Sequence, residues 1–333
     1  MTQTTIERPA NETPKSLTQR GGGALTDRLF RLLCLGAGLL VLAILALILG
    51  FTTWQALPAL RESGLGFVTG DVWNPNDPSG TPKFGALAFL FGTAVVSLIA
   101  VVVAVPISTG IALFLTEMAP RRVRGAVVTV IDLLAAIPSV VFGLWGVLVV
   151  GPALVPVYTW LHERFDGVPV LGSVFGPPPG NGRGFMTAGL ILAIMITPII
   201  TSITREVFGT VPVAEKHAAL ALGATRWEMI KGAVFPHSFG GMTGAVMLGL
   251  GRAMGETIAV ALTIGSATQI VPNIFASGDA MPAVIALQFG ESSGLHTSAL
   301  VGLGVVLFAL TVVINLAART IVRRAEIRMK GAQ

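Results

Sequence analysis

From residue 29 onward the chain alternates long apolar runs with shorter polar breaks. Six runs are long enough to cross about 30 Å of hydrocarbon at ~1.5 Å per residue. Their approximate cores are 29–57, 86–115, 128–160, 185–204, 238–270 and 298–318, and each predicts a membrane-spanning helix. The pattern therefore predicts an all-α, polytopic membrane protein with six transmembrane helices. The third run holds Pro138, Pro152 and Pro156, which predicts a kinked span followed by a re-entrant or interfacial piece. Pro106 and Pro198 also fall inside helical runs, where neighbouring helices resatisfy the carbonyls that proline frees. Residues 1–24 are polar, contain Pro and Gly, and carry no apolar stripe, so they predict a disordered tail. The first apolar run is too long for the core of a cleaved signal peptide. The membrane domain is thus expected over 25–320, followed by a basic tail over 321–333.

Composition supports this reading. Of 333 residues, 53% are hydrophobic and 12% charged, and mean hydropathy is +0.79. Soluble domains carry about 25% charged residues, so a water-facing surface cannot be assembled from this chain. The net charge of +5 is distributed with a strong bias. The N-terminal tail with Arg31, the 116–127 loop, the 205–237 loop and the C-terminal tail hold five, three, four and five basic residues, 17 of the 22. The remaining loops hold Arg61, Lys83, Arg164 and Arg183. Positive charge concentrates on cytoplasmic loops, so both termini are expected in the cytoplasm and nucleic acid is not an expected partner. The single cysteine, Cys34, lies in an apolar run and permits no internal disulfide. Trp54 and Trp73 suit interfacial anchors, and the long outer loops 58–84 and 161–184 show no chemistry of their own.

The 207–237 segment carries dense local signals. Pro212 suits the first turn of a helix, Ala218 to Leu222 are strong helix formers, and Gly223 suits a left-handed cap. Thr225 and Glu228 form an S/T-x-x-E capping box that starts a second helix, and Pro236 is expected to stop it before the fifth span. A small-residue helix with a rigid turn fits closely into a groove on a soluble partner. Val207, Phe208, Ala218, Ala219 and Leu222 are its expected apolar contacts, flanked by Glu215 and Lys216.

One basic residue remains, Arg252, inside the fifth run. Arg252 and Glu256 stand at i and i+4, which on a continuous helix puts them on one face. A charge at mid-membrane costs about 2.5–3.5 kcal/mol on insertion scales, so such residues face a bundle interior and mark a pathway. Gly249, Gly251 and Gly255 surround the pair with little side chain, and Gly251-x-x-x-Gly255 also has helix-packing spacing. A structural salt bridge and a transit site both remain open on these residues. An arginine fork suits a tetrahedral oxyanion, and a neighbouring carboxylate would disfavour a fully deprotonated one. No nucleophile, phosphate-cradling loop or metal-ligand cluster accompanies the pair, so transit rather than catalysis is expected, with no cofactor and with ATP bound elsewhere. Asp132, near the start of the third run, suits either capping or function. The four histidines are dispersed.

Glu215, Ala218–Ala219, Gly223 and Pro236, with the run Ala221–Trp227, resemble the EAA loop of binding-protein-dependent ABC importer permeases. Over residues 29–320 the chain further resembles the PstC-type permeases of phosphate-specific importers. The matching motifs are Trp73-Asn74-Pro75, Phe84-Gly85, Gly92-Thr93, Ala104-Val105-Pro106, Glu117-Met118-Ala119-Pro120, Ile137–Gly143 and Gly251–Thr257. The resemblance implies a type I importer fold in the inner membrane and a heterodimer with a PstA-like permease. It also implies PstB-like ATP-binding subunits below and a PstS-like phosphate-binding protein above. It makes Glu215, Ala218, Ala219, Leu222 and Gly223 the coupling residues that dock on the ATPase. It puts Arg252 and Glu256 on the phosphate path, with Gly251, Gly255 and Thr257 completing the motif. A permease for molybdate or sulfate, and a self-contained secondary anion transporter, are the alternatives. The second would show inverted repeats, and no internal repeat is evident.

Overall fold

The computed structural model describes residues 24–77 and 82–330. The tail expected over 1–24 lies outside the described residues except for its last position. Among the described residues, five helices are long and apolar enough to cross a membrane, at 26–63, 87–118, 139–165, 185–209 and 294–320.

Helix α1 spans Ala24–Ser63. Its part up to Phe51 forms a unit of its own and is apolar along most of its length from Leu29 onward. The second unit begins at Thr52. It opens with the last turns of α1, the single-turn α2 (Gly66–Thr69) and a two-stranded antiparallel ribbon, β1 (Trp73–Asn74) against β2 (Lys83–Phe84). Next come α3 (Leu87–Leu113), α4 (Arg121–Ala136), α5 (Ser139–Trp145), α6 (Gly151–Phe165) and the single-turn α7 (Leu171–Val174). The rest is α8 (Phe185–Gly209), α9 (Val213–Ala221), α10 (Arg226–Met229), α11 (Phe235–Gly255), α12 (Ile258–Thr263), α13 (Met281–Gln288) and α14 (Gly294–Lys330). The helix α14 continues through most of the segment expected as a basic tail.

Helix α8 is the axis of this unit. Phe185, Ile191, Leu192, Ile196 and Ile200 are buried in a core shared with Val96, Ala100 and Ala104 of α3 and Ala245 and Ala253 of α11. Small residues set the approach of the helices. A Cβ on Gly189 would collide with Ile99, and one on Gly249 with Ile200, so these glycines let α3 and α11 sit against α8. Pro198 removes the helical N–H that would reach Ile194 O; beside it the Thr197 hydroxyl donates to Ala193 O at 2.7 Å, and the Ser108 hydroxyl of α3 donates to Thr197 O at 3.2 Å, tying α3 to α8.

Two expected spans are corrected. The third run is not one kinked helix over 128–160. Ile137 and Pro138 are extended, which ends α4 and starts the true span at Ser139. The residue before proline is pushed out of helical geometry, so the break falls at Pro138. Pro152 and Pro156 lie in the first two turns of α6, which follows α5 through a π-type turn at Gly146–Val150. Asp132 is exposed on α4, outside the span.

The fifth run is not one helix over 238–270. It ends at Gly255, passes through extended Glu256, and resumes as the short α12. What draws α12 away is its packing on α5. A Cβ on Gly143 would meet Ala259 and Leu262, and one on Gly146 would meet Thr263 and Ile191. The short α13 then forms within the expected outer loop, its Met281 and Val284 buried beside Phe89 and Leu300.

The loops expected on the outer side carry more structure than the sequence suggests. Trp73 has packing partners within the chain. It stands edge-on to Phe84 and Phe89 at centroid distances of 5.0 and 5.2 Å, and its Nε1 donates to Gln288 Oε1 at 3.0 Å.

Candidate functional site

Two regions bear on function: a cavity beside α11 and the surface formed by α9 and α10.

The cavity has a volume of about 960 Å³ and lies along α11 and α14, with Ile199 of α8 at its wall. One stripe of α11 lines it at helical spacing, including Gly244, Leu248, Gly251, Arg252 and Gly255, and Glu256 closes the row. Helix α14 adds Asn315 and Arg319, one turn apart. Four of the residues singled out in the sequence, Gly251, Arg252, Gly255 and Glu256, thus face one space. Thr257 is not in the lining; its hydroxyl donates to Gly255 O at 3.3 Å across the break.

The relation between Arg252 and Glu256 differs from the one-face pair expected. Glu256 has φ −71° and ψ 128°, so the i,i+4 geometry is lost at the residue that needs it. Among the described residues neither side chain forms a salt bridge. Arg252 is exposed to the cavity with its fork unpaired. Glu256 sits at the dividing wall: it lines the large cavity on one side and, on the other, a void of about 10 Å³ bordered by Thr93 and Ser97. Gly251 and Gly255 do not serve helix packing within this chain, because a Cβ on either would meet nothing within 4 Å. They widen the cavity beside Arg252. The packing glycine of this stretch is Gly249.

At the other region, the local signals translate directly into geometry. Helix α9 follows Pro212, Gly223 takes φ +87°, and Thr225 caps α10 with both halves of the box formed. The Thr225 hydroxyl accepts from Glu228 N at 3.3 Å, and Thr225 N donates to Glu228 Oε2 at 2.8 Å. That second bond, with the hydroxyl's own donation, holds the Glu228 carboxyl below its ordinary pKa. Pro236 does not stop the helix. The chain stays helical from Arg226 to Gly255, and a wider π-type turn at Ile230–Val234 absorbs the proline's missing N–H.

The apolar contact set is also revised. Phe208 is fully buried with Met229, Ile230 and Val234, so it is not free for a partner, and Ala219 packs against that cluster while staying partly exposed. Leu222 is 89% exposed, and Val213, Leu220 and Trp227 are exposed beside it. Ala218 and Gly223 lie open in the same segment. Glu215 is exposed and lies 3.5 Å from His237.

Two features were not read from the sequence. Lys216 Nζ donates to Glu117 Oε1 at 2.6 Å, joining α9 to the π-type turn (Phe114–Met118) that follows α3, across 99 residues, with both side chains largely buried. Arg319 was one more basic residue of the C-terminal end. Its signal was Asn315, a polar residue one turn earlier in an apolar run. Among the described residues no cluster of His, Cys, Asp or Glu has the geometry to hold a metal ion.

Comparison with known proteins agrees with this architecture. Residues 104–330 match the family described as binding-protein-dependent transport system inner membrane component. The chain is 44% identical over 310 residues to the phosphate transport system permease protein PstC of Mesorhizobium japonicum, covering 92% of each chain. It is 42% identical over 316 residues to the PstC protein of Xylella fastidiosa, covering 93% of this chain and 96% of that one. Among solved structures, a chain of a bacterial alginate ABC transporter, in complex with its pentasaccharide-bound periplasmic protein, superposes with TM-score 0.55 at 18% identity. That superposition covers 90% of this chain and 97% of the other, and shows the fold alone. A permease-type helical fold and relatives of this identity over nine-tenths of the length lead to one assignment. The chain belongs to the binding-protein-dependent transport system inner membrane components, within their PstC-type permeases.

Proposed function

We propose that this chain is the permease subunit of an ATP-driven importer that moves inorganic phosphate across the cytoplasmic membrane into the cell. The observation that carries the reading is Arg252. It is an unpaired guanidinium facing a cavity of about 960 Å³ from a helix with no other Lys, Arg, Asp or Glu, in a chain whose relatives are named phosphate transport permeases. A planar fork without a carboxylate partner is free to take a tetrahedral oxyanion in two parallel hydrogen bonds. Glu256, at the cavity wall, repels a fully deprotonated anion and keeps the site from holding its cargo too tightly.

The chain is a multi-pass inner-membrane transport component and not an enzyme. Such a permease works with an ATPase, a binding protein and a second permease. In our reading these are PstB-like, PstS-like and PstA-like subunits, and the PstA-like chain completes the wall of the cavity opposite α11. The ATPase docks on α9 and the Gly223 turn, through Ala218, Leu222 and Glu215, and nucleotide-driven movement of that surface passes along the continuous helix from Arg226 to Gly255 into the cavity. Both termini lie in the cytoplasm. The break at Glu256 lets α11 move without dragging α12, which is packed on α5.

The test is phosphate uptake in a strain lacking its own permease. Arg252→Gln is expected to abolish uptake while the subunits still co-purify. Normal uptake by that variant overturns the reading. Sulfate or molybdate uptake in place of phosphate would refute the choice of anion, and uptake without any ATPase would refute the importer class.

A further inference from the structure

The cavity holds three charged side chains, Arg252, Glu256 and Arg319. The first two follow from the motif in the fifth run; nothing in that motif accounts for the third. Arg319 is exposed, and among the described residues it forms neither a hydrogen bond nor an ion pair. One turn earlier Asn315 lines the same space. An amide inside an apolar membrane helix is costly to expose to lipid, so its direction toward the cavity is the favourable one.

Packing fixes where this second pair lies. The first turns of α14, at Ala299, Leu300 and Leu303, are buried with Phe89 near the start of α3. The beginning of α11, at Val234 and Phe235, packs with Ala112 and Leu113 at the other end of α3. Helix α14 therefore runs toward the end of the bundle where α11 begins. At ~1.5 Å per residue, Arg319 lies roughly 25–30 Å down from the Phe89 level and Arg252 roughly 25 Å up from the Val234 level. With α3 about 35 Å long between these levels, the two guanidinium-bearing positions are separated by roughly 15–20 Å along the cavity, with Arg319 on the side of the coupling surface.

We propose that Asn315 and Arg319 form a second anion station at the cytoplasmic mouth of the cavity, which accepts the tetrahedral oxyanion after it leaves Arg252. The proposal rests on the phosphate-permease reading above. A single cation facing a wide apolar cavity would leave an anion with no favourable position between the membrane midplane and the exit. A guanidinium with a neighbouring amide donor supplies one. Because Arg319 has no carboxylate partner, the anion is held there by a solvent-exposed contact and exchanges readily with water.

The test uses the complete importer in membranes and compares wild type, Arg319→Gln, Arg319→Lys and Asn315→Leu. Subunit co-purification and membrane content are measured for each. The expected result is that Arg319→Gln lowers the maximal rate of radiolabelled phosphate uptake by about tenfold or more, the loss of one charge-assisted contact. The external concentration giving half-maximal rate stays unchanged, since capture outside precedes this step. Asn315→Leu lowers the rate in the same direction, and Arg319→Lys, which keeps the charge but not the fork, recovers it in part. A wild-type maximal rate in Arg319→Gln overturns the proposal. So does a loss that follows reduced membrane content, or full recovery with Lys, because both reduce Arg319 to a topological charge. Should the wild-type chain import sulfate or molybdate instead, the phosphate reading fails, and the same variants scored on that anion decide the station separately.

Discussion

The Lys216–Glu117 pair provides the sharpest mechanical prediction. Helix α9 is nine residues long, too short to hold its shape by itself in water, and it must be held by what it packs against. Its contribution to the buried cluster under it is small: Ala219 touches that cluster, while Val213, Leu220 and Leu222 face outward. The ion pair at 2.6 Å is therefore a principal tie between this helix and the transmembrane body. The side chains are only 16% and 11% exposed, so removing one partner leaves the other as an uncompensated, largely buried charge. Breaking a pair of this kind costs about 3–5 kcal/mol, whereas replacing both partners costs far less.

At the lower bound, about 3 kcal/mol, the undocked population of α9 rises by roughly two orders of magnitude. Lys216→Met, which keeps the length of the side chain, is the cleanest perturbation, with Glu117→Gln as its counterpart. Amide hydrogen exchange in the purified importer reads the docked fraction directly, because the amides of 213–221 exchange through local opening. Both single variants are expected to speed exchange there by about a hundredfold, with little change in α3 and α8, and the swap Glu117→Lys with Lys216→Glu is expected to restore most of the protection. Unchanged exchange in both single variants would refute the argument, since it would mean that apolar packing alone holds the helix.

Further outcomes follow from other parts of the chain. Gly223 takes φ +87° with open space around its Cα, so Gly223→Val strains only the backbone, by about 1–2 kcal/mol, and is expected to weaken ATPase co-purification without lowering permease content. Thr225→Ala removes the capping box and is expected to destabilise the start of α10 by about 0.5–2 kcal/mol, read as faster exchange of the Arg226–Glu228 amides. Gly251→Leu points into free space and is expected to leave the thermal midpoint intact while obstructing uptake; Gly249→Leu collides with Ile200 and is expected to lower the midpoint instead. Asp279, in the segment before α13, is pushed up to about 6 by burial, only partly offset by the Ala280 N–H. A raised acid pKa favours the folded state below the unfolded value of 3.8, and this is lost as pH rises toward 6, so Asp279→Asn is expected to raise the midpoint near pH 7.5 by the equivalent of about 3 kcal/mol and to change nothing at pH 3.5.

Most of the surface formed by α9 and α10 was legible because its signals are local. Proline before α9, glycine after it and a Thr-x-x-Glu box are each satisfied by neighbours within four residues, so no distant contact was needed to make them true. The inward turn of Phe208 and Ala219 was not, because it depends on Met229, Ile230 and Val234 arriving from the next helix. Long apolar runs were equally legible as spans, since hydrocarbon leaves a backbone few alternatives to helix. Run length alone, however, says nothing about where a helix is cut.

The two cuts that matter show why. At Pro138 the chain carries a local cause, and the sequence reading went astray only in taking one proline of three as a kink rather than a stop. At Glu256 there is no comparable cause: Gly255, Glu256 and Thr257 are compatible with a continuing membrane helix. What decides the break is α12 closing on Gly143, more than a hundred residues earlier, where only a glycine admits Ala259 and Leu262. The same long-range contact separates Glu256 from the helical face that holds Arg252 and leaves the guanidinium unpaired toward the cavity. A pattern of charges at i and i+4 is thus an incomplete guide to chemistry in a membrane protein. Whether the pair neutralises itself or offers a free cation is set by the packing of a helix that neither residue belongs to.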